Sequence, residues 1–155
     1  MTNETASILC ALLRRFDPRA NLVIDEAALG FGGRADLIVV SKSGYVTEIE
    51  IKVSLADWNR ETKKRKTPRA SRLYFAIPKR LLTKVPEWVP EHAGILTLAA
   101  GCKDLDEYRP ARRLSRPPLP AIEITHLRCS LYFRYWDMRR RALARAQAQT
   151  LKAAS

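Results

Sequence analysis

Two histidines and three cysteines are the only soft metal ligands in this 155-residue sequence, apart from two methionines. Cys10, Cys102 and Cys129 share no zinc-type spacing, and an odd number cannot all pair, so neither a zinc site nor a disulfide scaffold is expected. That cysteine usage implies a reduced, intracellular setting, and a cytoplasmic location is expected. Long apolar runs are also missing: no stretch of about eighteen apolar residues occurs, which excludes a helical membrane span. The first residues, MTNETASILCALLRRF, carry their charge after the apolar stretch, the wrong order for a secretory signal. There is no internal repeat and no low-complexity segment. Negative charge is scarce too, with 16 Asp and Glu against 28 Lys and Arg.

The surplus of +12 is unevenly placed. Residues 1–58 hold 6 basic and 8 acidic side chains, whereas residues 59–155 hold 22 basic and 8 acidic. Self-repulsion of this size is relieved by a polyanion, of which nucleic acid is the commonest, although a basic surface can also be purely solubilising. A hydrophobic content of 46% suffices for one core in a chain this long, so one domain is expected.

Thr2 or Asn3 can cap a helix to Phe16, with Glu4 in its first turn and Ile8, Leu9, Leu12, Leu13 and Phe16 on one face. Asp17-Pro18 ends it. Leu22–Glu26 reads as a short strand, followed by a loop with Gly30, Gly32 and Gly33. Ala35–Val40 and Tyr45–Val53 read as strands of a hairpin turning at Ser41–Gly44. In the second strand, Val46, Glu48, Glu50 and Lys52 share one face, while Ile49, Ile51 and Val53 are assigned to the core. Ser54-Leu55-Ala56-Asp57 has capping-box form, predicting a helix to about Lys66. Arg72–Ile77 and Gly94–Ala99 read as buried strands, Arg80–Val85 as a short helix and 104–120 as strand fragments and loop. Ile122–Ala148 reads as a long basic helix with Leu127, Leu131 and Tyr135 on one face.

Asp36 near the start of one hairpin strand and Glu50 with Lys52 on the other can converge. Two carboxylates facing one point call for a cation. Hard oxygen ligands suit Mg²⁺ or Mn²⁺, and an ammonium beside such an ion can orient water and offset charge on a phosphorane. That is machinery for phosphodiester hydrolysis. The same spacing also describes a solvated strand face carrying an ion pair.

Gly33-Arg34-Ala35-Asp36-Leu37-Ile38, then Glu50-Ile51-Lys52-Val53-Ser54 with Asp57-Trp58, then Arg72–Pro78, resembles the PD-(D/E)XK nuclease superfamily, and within it the MmcB-like DNA-repair endonucleases of bacteria. The resemblance covers residues 3–100. It implies an α/β fold with a restriction-endonuclease-like core (αβββαβ, a mixed central sheet flanked by helices), to which this chain adds a basic C-terminal helix. It also implies that Asp36 and Glu50 are metal ligands, that the main-chain carbonyl of Ile51 completes the set, and that Lys52 is catalytic. Glu4 falls where many members place a first-helix carboxylate that reaches the metal, and Lys63 where members carry a residue facing phosphate. Ala35 replaces the superfamily's proline, and Lys64-Arg65-Lys66 replaces the aromatic residues usual in MmcB-like helices.

The expected organisation is a nuclease-like core over 1–100 and an extension over 101–155 packing on the same domain. Lys63, Lys64, Lys66 and Arg69, with the basic C-terminal half, are expected to hold DNA backbone. Glu48 is read as a rim or ion-pair residue, Ser54 and Asp57 as a cap, Trp58 as a packing anchor and Cys10 as a packing residue. His92 and His126 are assigned no catalytic part. The expected function is Mg²⁺- or Mn²⁺-dependent hydrolysis of DNA in repair, recombination or phage DNA processing. A non-catalytic module retaining the fold and an RNA-binding scaffold with a structural Asp36–Glu50–Lys52 set are the alternatives. Resolvase relatives act as symmetric dimers, so a homodimer is compatible with the resemblance, but no apolar seam specifies one.

Overall fold

A computed structural model describes residues 2–28, 34–61 and 70–153. Lys63, Lys64, Lys66 and Arg69, the glycine loop and the far end of the helix expected to reach Lys66 lie outside the described residues. The chain divides into two compact units, 1–119 and 120–155. The first therefore runs beyond the 1–100 core expected from sequence.

In the first unit, α1 (Asn3–Phe16) starts at Thr2, whose hydroxyl accepts the Thr5 N–H at 3.2 Å. Ile8, Ala11 and Leu12 are its buried residues, with Leu9 and Phe16 partly buried beside them. The apolar stripe is thus narrower than expected: Leu13 flanks the contact and is exposed, while Ala11 takes the close approach. Cys10, expected to pack, is also exposed.

Strands β1 (Leu22–Ala28), β2 (Arg34–Val40) and β3 (Val46–Ile51) run antiparallel in succession. Short helix α2 (Leu55–Glu61) follows, then β4 (Arg72–Pro78) and β5 (Gly94–Leu98), each parallel to the strand before it. Strand β6 (Asp106–Arg109) returns antiparallel, giving a six-stranded mixed sheet among the described residues, in order β1-β2-β3-β4-β5-β6. The order α1, β1, β2, β3, α2, β4 is the αβββαβ core expected of a restriction-endonuclease-like fold. The β2–β3 turn needs Gly44 twice over, at φ +81° and with room for a Cβ only 3.0 Å from Pro118. Gly94 is constrained by space alone, since a Cβ there would collide with the Tyr74 ring.

Alternation along the strands creates two cores, one on each face. On one, α1 packs over Leu37, Val39, Ile49, Tyr74, Ala76 and Leu96. On the other, Leu73, Phe75, Ile77 and Ile95 meet Trp58 of α2 and Leu81, Val85, Val89 and Ala93 of the β4–β5 connection. That connection holds single 3₁₀ turns at Lys79–Leu81 and Pro86–Trp88 in place of the expected short helix. Polar ties close the β6 edge: the Tyr74 hydroxyl donates to Glu107 Oε1 at 2.6 Å, and Arg15 donates to Glu107 Oε2 at 3.0 Å. The second unit is one 33-residue helix, α3 (Ala121–Ala153), described below by itself.

Candidate functional site at the split of the β2–β3 hairpin

The hairpin ladder pairs Val40 with Val46, Val39 with Thr47, Ile38 with Glu48 and Leu37 with Ile49. Continued by one step it would place Asp36 opposite Glu50, but the paired register ends at Leu37. There the Asp36 side chain takes over, its Oδ2 accepting the Ile51 N–H at 2.7 Å. A carboxylate thus stands where a backbone acceptor would continue the ladder. The aspartate is thereby fixed against the Glu50-Ile51-Lys52 segment. The Lys52 N–H turns to β4 and donates to the Ala76 carbonyl at 3.0 Å.

Glu50 and Lys52 leave β3 on the same side, and Lys52 Nζ lies 3.2 Å from Glu50 Oε2. Both are enclosed, at 1% and 5% exposed, as is Glu48 at 4%. Glu48, read as a rim or ion-pair residue, therefore lies in the interior and not at the rim. The physical reason is the layer of Trp58 and the β4–β5 connection on that face, with the Trp58 ring 4.7 Å from Phe75, the cross-strand neighbour of Glu50. Charges so enclosed are tolerable only when paired and hydrogen-bonded, and the Lys52–Glu50 ion pair supplies part of that. The Ser54 hydroxyl accepts the Asp57 N–H at 3.1 Å, the helix-cap role read from sequence, and Trp58 is the packing anchor expected.

Glu4 has a different partner. Arg80 grips both its oxygens, at 3.0 and 2.6 Å, and also donates to the Val53 carbonyl at 2.9 Å. The guanidinium beside Glu4 holds its carboxyl below the usual range, and Glu4 in turn raises Arg80. Arg80 thus links the start of α1 to the backbone one residue past Lys52. Sequence reasoning missed it, because no local pattern connects residues 76 apart. Among the described residues, no group of three or more His, Cys, Asp or Glu side chains has metal-binding geometry. At the hairpin split stand Asp36 and Glu50, both hard oxygen donors, with the Lys52 ammonium beside Glu50. His126 is exposed on α3, and His92 lies in the β4–β5 connection.

The fold is shared with a protein of unknown function from Silicibacter pomeroyi, at a TM-score of 0.68 and 20% sequence identity, covering 85% of this chain and 88% of that one. No curated protein matches the chain. Residues 2–118 match the family described as DNA repair protein MmcB-like, a span that takes in the whole β2–β3 split and all six strands. The chain belongs to the MmcB-like family of DNA repair proteins.

Proposed function

We propose that this protein is a divalent-metal-dependent nuclease that hydrolyses phosphodiester bonds of DNA in repair. The reading rests on one observation above the others: Asp36 is bonded to the Ile51 N–H at the point where Glu50 and Lys52 leave β3. An aspartate in a merely solvated strand face has no reason to interrupt a ladder. The donor set favours Mg²⁺ or Mn²⁺, since magnesium commonly takes one or two carboxylates and completes its shell with water and phosphate oxygens. Asp36 and Glu50 would hold the ion, and the resemblance adds the Ile51 carbonyl and Glu4 as further oxygen donors. Glu4 would first have to leave Arg80.

A bound divalent cation supplies Lewis-acid polarisation of the phosphoryl oxygen and a water of lowered pKa. The chain's own residues do the rest. Lys52 donates toward the attacking water and offsets negative charge growing on phosphorus. Glu50 keeps that ammonium in place through the 3.2 Å contact. Trp58 and Phe75 exclude bulk water behind the pair, which strengthens every charge interaction in front of it. Lys63, Lys64, Lys66, Arg69 and the basic C-terminal half hold the flanking backbone.

The burial of the Lys52–Glu50 pair favours a second reading, a DNA-binding module in which the pair is structural. Cleavage of labelled single-stranded, duplex, flap and four-way-junction DNA in Mg²⁺ or Mn²⁺ separates the two. Products that disappear in folded Glu50→Gln and Lys52→Met proteins support the nuclease. Tight binding with no products on any substrate in either metal selects the module.

A further inference from the structure

Helix α3 lies outside the span that matches the family and carries 7 basic against 2 acidic residues over 120–155. Its large side chains are turned outward: Tyr132 is 59% exposed, Phe133 68% and Trp136 52%. Residues three and four apart share a helix face. Trp136 therefore has two aromatic neighbours behind it, Tyr132 and Phe133, and two arginines ahead, Arg139 and Arg140. Arg128, Tyr132, Trp136 and Arg140 follow at four-residue intervals and make one ridge. The Tyr132 and Trp136 rings meet edge to face at 6.3 Å, and Tyr135 meets Trp136 at 5.6 Å. Arg140 pairs with Asp137 at 3.0 Å, whereas Arg128 and Arg139 have no ion-pair partner among the described residues.

The arrangement of charge selects the occupant. A helix that buries its aromatics in a bilayer or against a second copy separates its apolar and charged faces. Here the arginines are interleaved with the rings on one face, so covering the rings with an apolar partner would also bury guanidinium groups. A ligand that offers flat π surfaces and regular negative charge together satisfies both. Single-stranded nucleic acid does so: its unstacked bases lie on aromatic rings while its phosphates meet arginine.

We infer that the Arg128–Tyr132–Trp136–Arg140 ridge, with Phe133 and Arg139, is a stacking site for single-stranded DNA, its base contacts additional to the backbone contacts proposed for the basic half of the chain. It stands apart from the catalytic reading and holds for a protein that never cleaves DNA. Duplex DNA offers it phosphates but no free base faces, so the site prefers single strands.

The test uses the full chain, fluorescence anisotropy and a labelled oligothymidylate alongside a duplex of equal length. Tyr132→Ala and Trp136→Ala are each expected to lose about tenfold or more in single-strand affinity. Duplex affinity should stay within about twofold, because phosphate contacts are retained. Circular dichroism confirms that helix content is kept, and Trp136→Phe should restore most of the binding. Oligothymidylate should quench tryptophan emission in the parent protein and much less in Trp136→Phe. Equal losses on both DNAs, or no loss on either, would overturn the inference. So would a dimer in sedimentation that Trp136→Ala abolishes, or Trp136-dependent binding to phosphatidylserine vesicles with single-strand affinity unchanged.

Discussion

Asp36 does two jobs with one side chain, and they can be separated. Its Oδ2 accepts the Ile51 N–H, and its charge is what the proposed metal site needs. Asp36→Asn keeps a carbonyl acceptor and removes the charge, so the folded protein should survive while metal-dependent cleavage is lost. Asp36→Ala removes the acceptor from a part-buried N–H and should cost about 1–3 kcal/mol in urea unfolding. If the asparagine and alanine proteins are equally destabilised, the hydrogen bond is not what holds the segment. Glu50 calls for the same care. With Lys52 5% exposed, Glu50→Ala takes from the enclosed ammonium the carboxylate it pairs with and should cost about 3–5 kcal/mol. Glu50→Gln, which retains an oxygen at that position, is therefore the variant whose lost activity can be assigned to chemistry. Asp36, Glu50 and Lys52 were legible from the sequence because strand alternation and a glycine turn fix their register. Their enclosure was not, since alternation tells which face a side chain takes and not what covers that face.

Among the elements, α1 is joined to the end of β3 and the β4–β5 connection through Glu4 and Arg80. Arg80 lowers the folded-state pKa of Glu4 below its ordinary value of 4.5. The pair therefore contributes stability above that value, and the contribution disappears as pH falls through the lower folded-state pKa. Both side chains are about half exposed, so the effect is the small one of a solvent-screened surface pair. Thermal melting of the parent and Arg80→Gln should differ near neutral pH, and the gap should close as pH falls below the ordinary glutamate value and on through the lower folded-state pKa. A gap that persists in acid would trace the loss to the Val53 carbonyl contact instead. Elements with a strong period, α1 and β2 to β5, were readable in advance. Strand β6 was read only as an unplaced strand fragment within 104–120: Asp-Glu-Tyr-Arg has no apolar alternation, and it is recruited by backbone bonding to β5 at the sheet edge. The helix expected over Arg80–Val85 is present only as the 3₁₀ turn at Lys79–Leu81 and the turn after it, where the Val85 N–H reaches the Leu81 carbonyl at 3.1 Å.

For the molecule as a whole, charge is divided in proportion to the proposed tasks. The hairpin region supplies the carboxylates, and residues 59–155 supply 22 of the 28 basic side chains. Backbone binding by that half should be strongly salt-dependent, with duplex affinity falling about tenfold or more between about 50 and 200 mM salt. A flat response would remove the phosphate-contact part of the reading while leaving the stacking ridge to be judged on single strands. The periodic segments made the individual helix and strands legible and the resemblance supplied their α/β arrangement, but neither fixed the extent of the first unit, because residues 101–119 join it through an edge strand and loops rather than through an apolar run.

The sheet's spatial order repeats its order in the chain, from β1 to β6. A ribosome therefore delivers each strand after the neighbour it must join, and the sheet grows by accretion at one edge, never by insertion between strands already in place. A nascent chain halted after any strand holds a complete pairing scheme behind it and a single growing edge in front. Helix α1, made first, is already available to cover one face when β3 and β4 arrive.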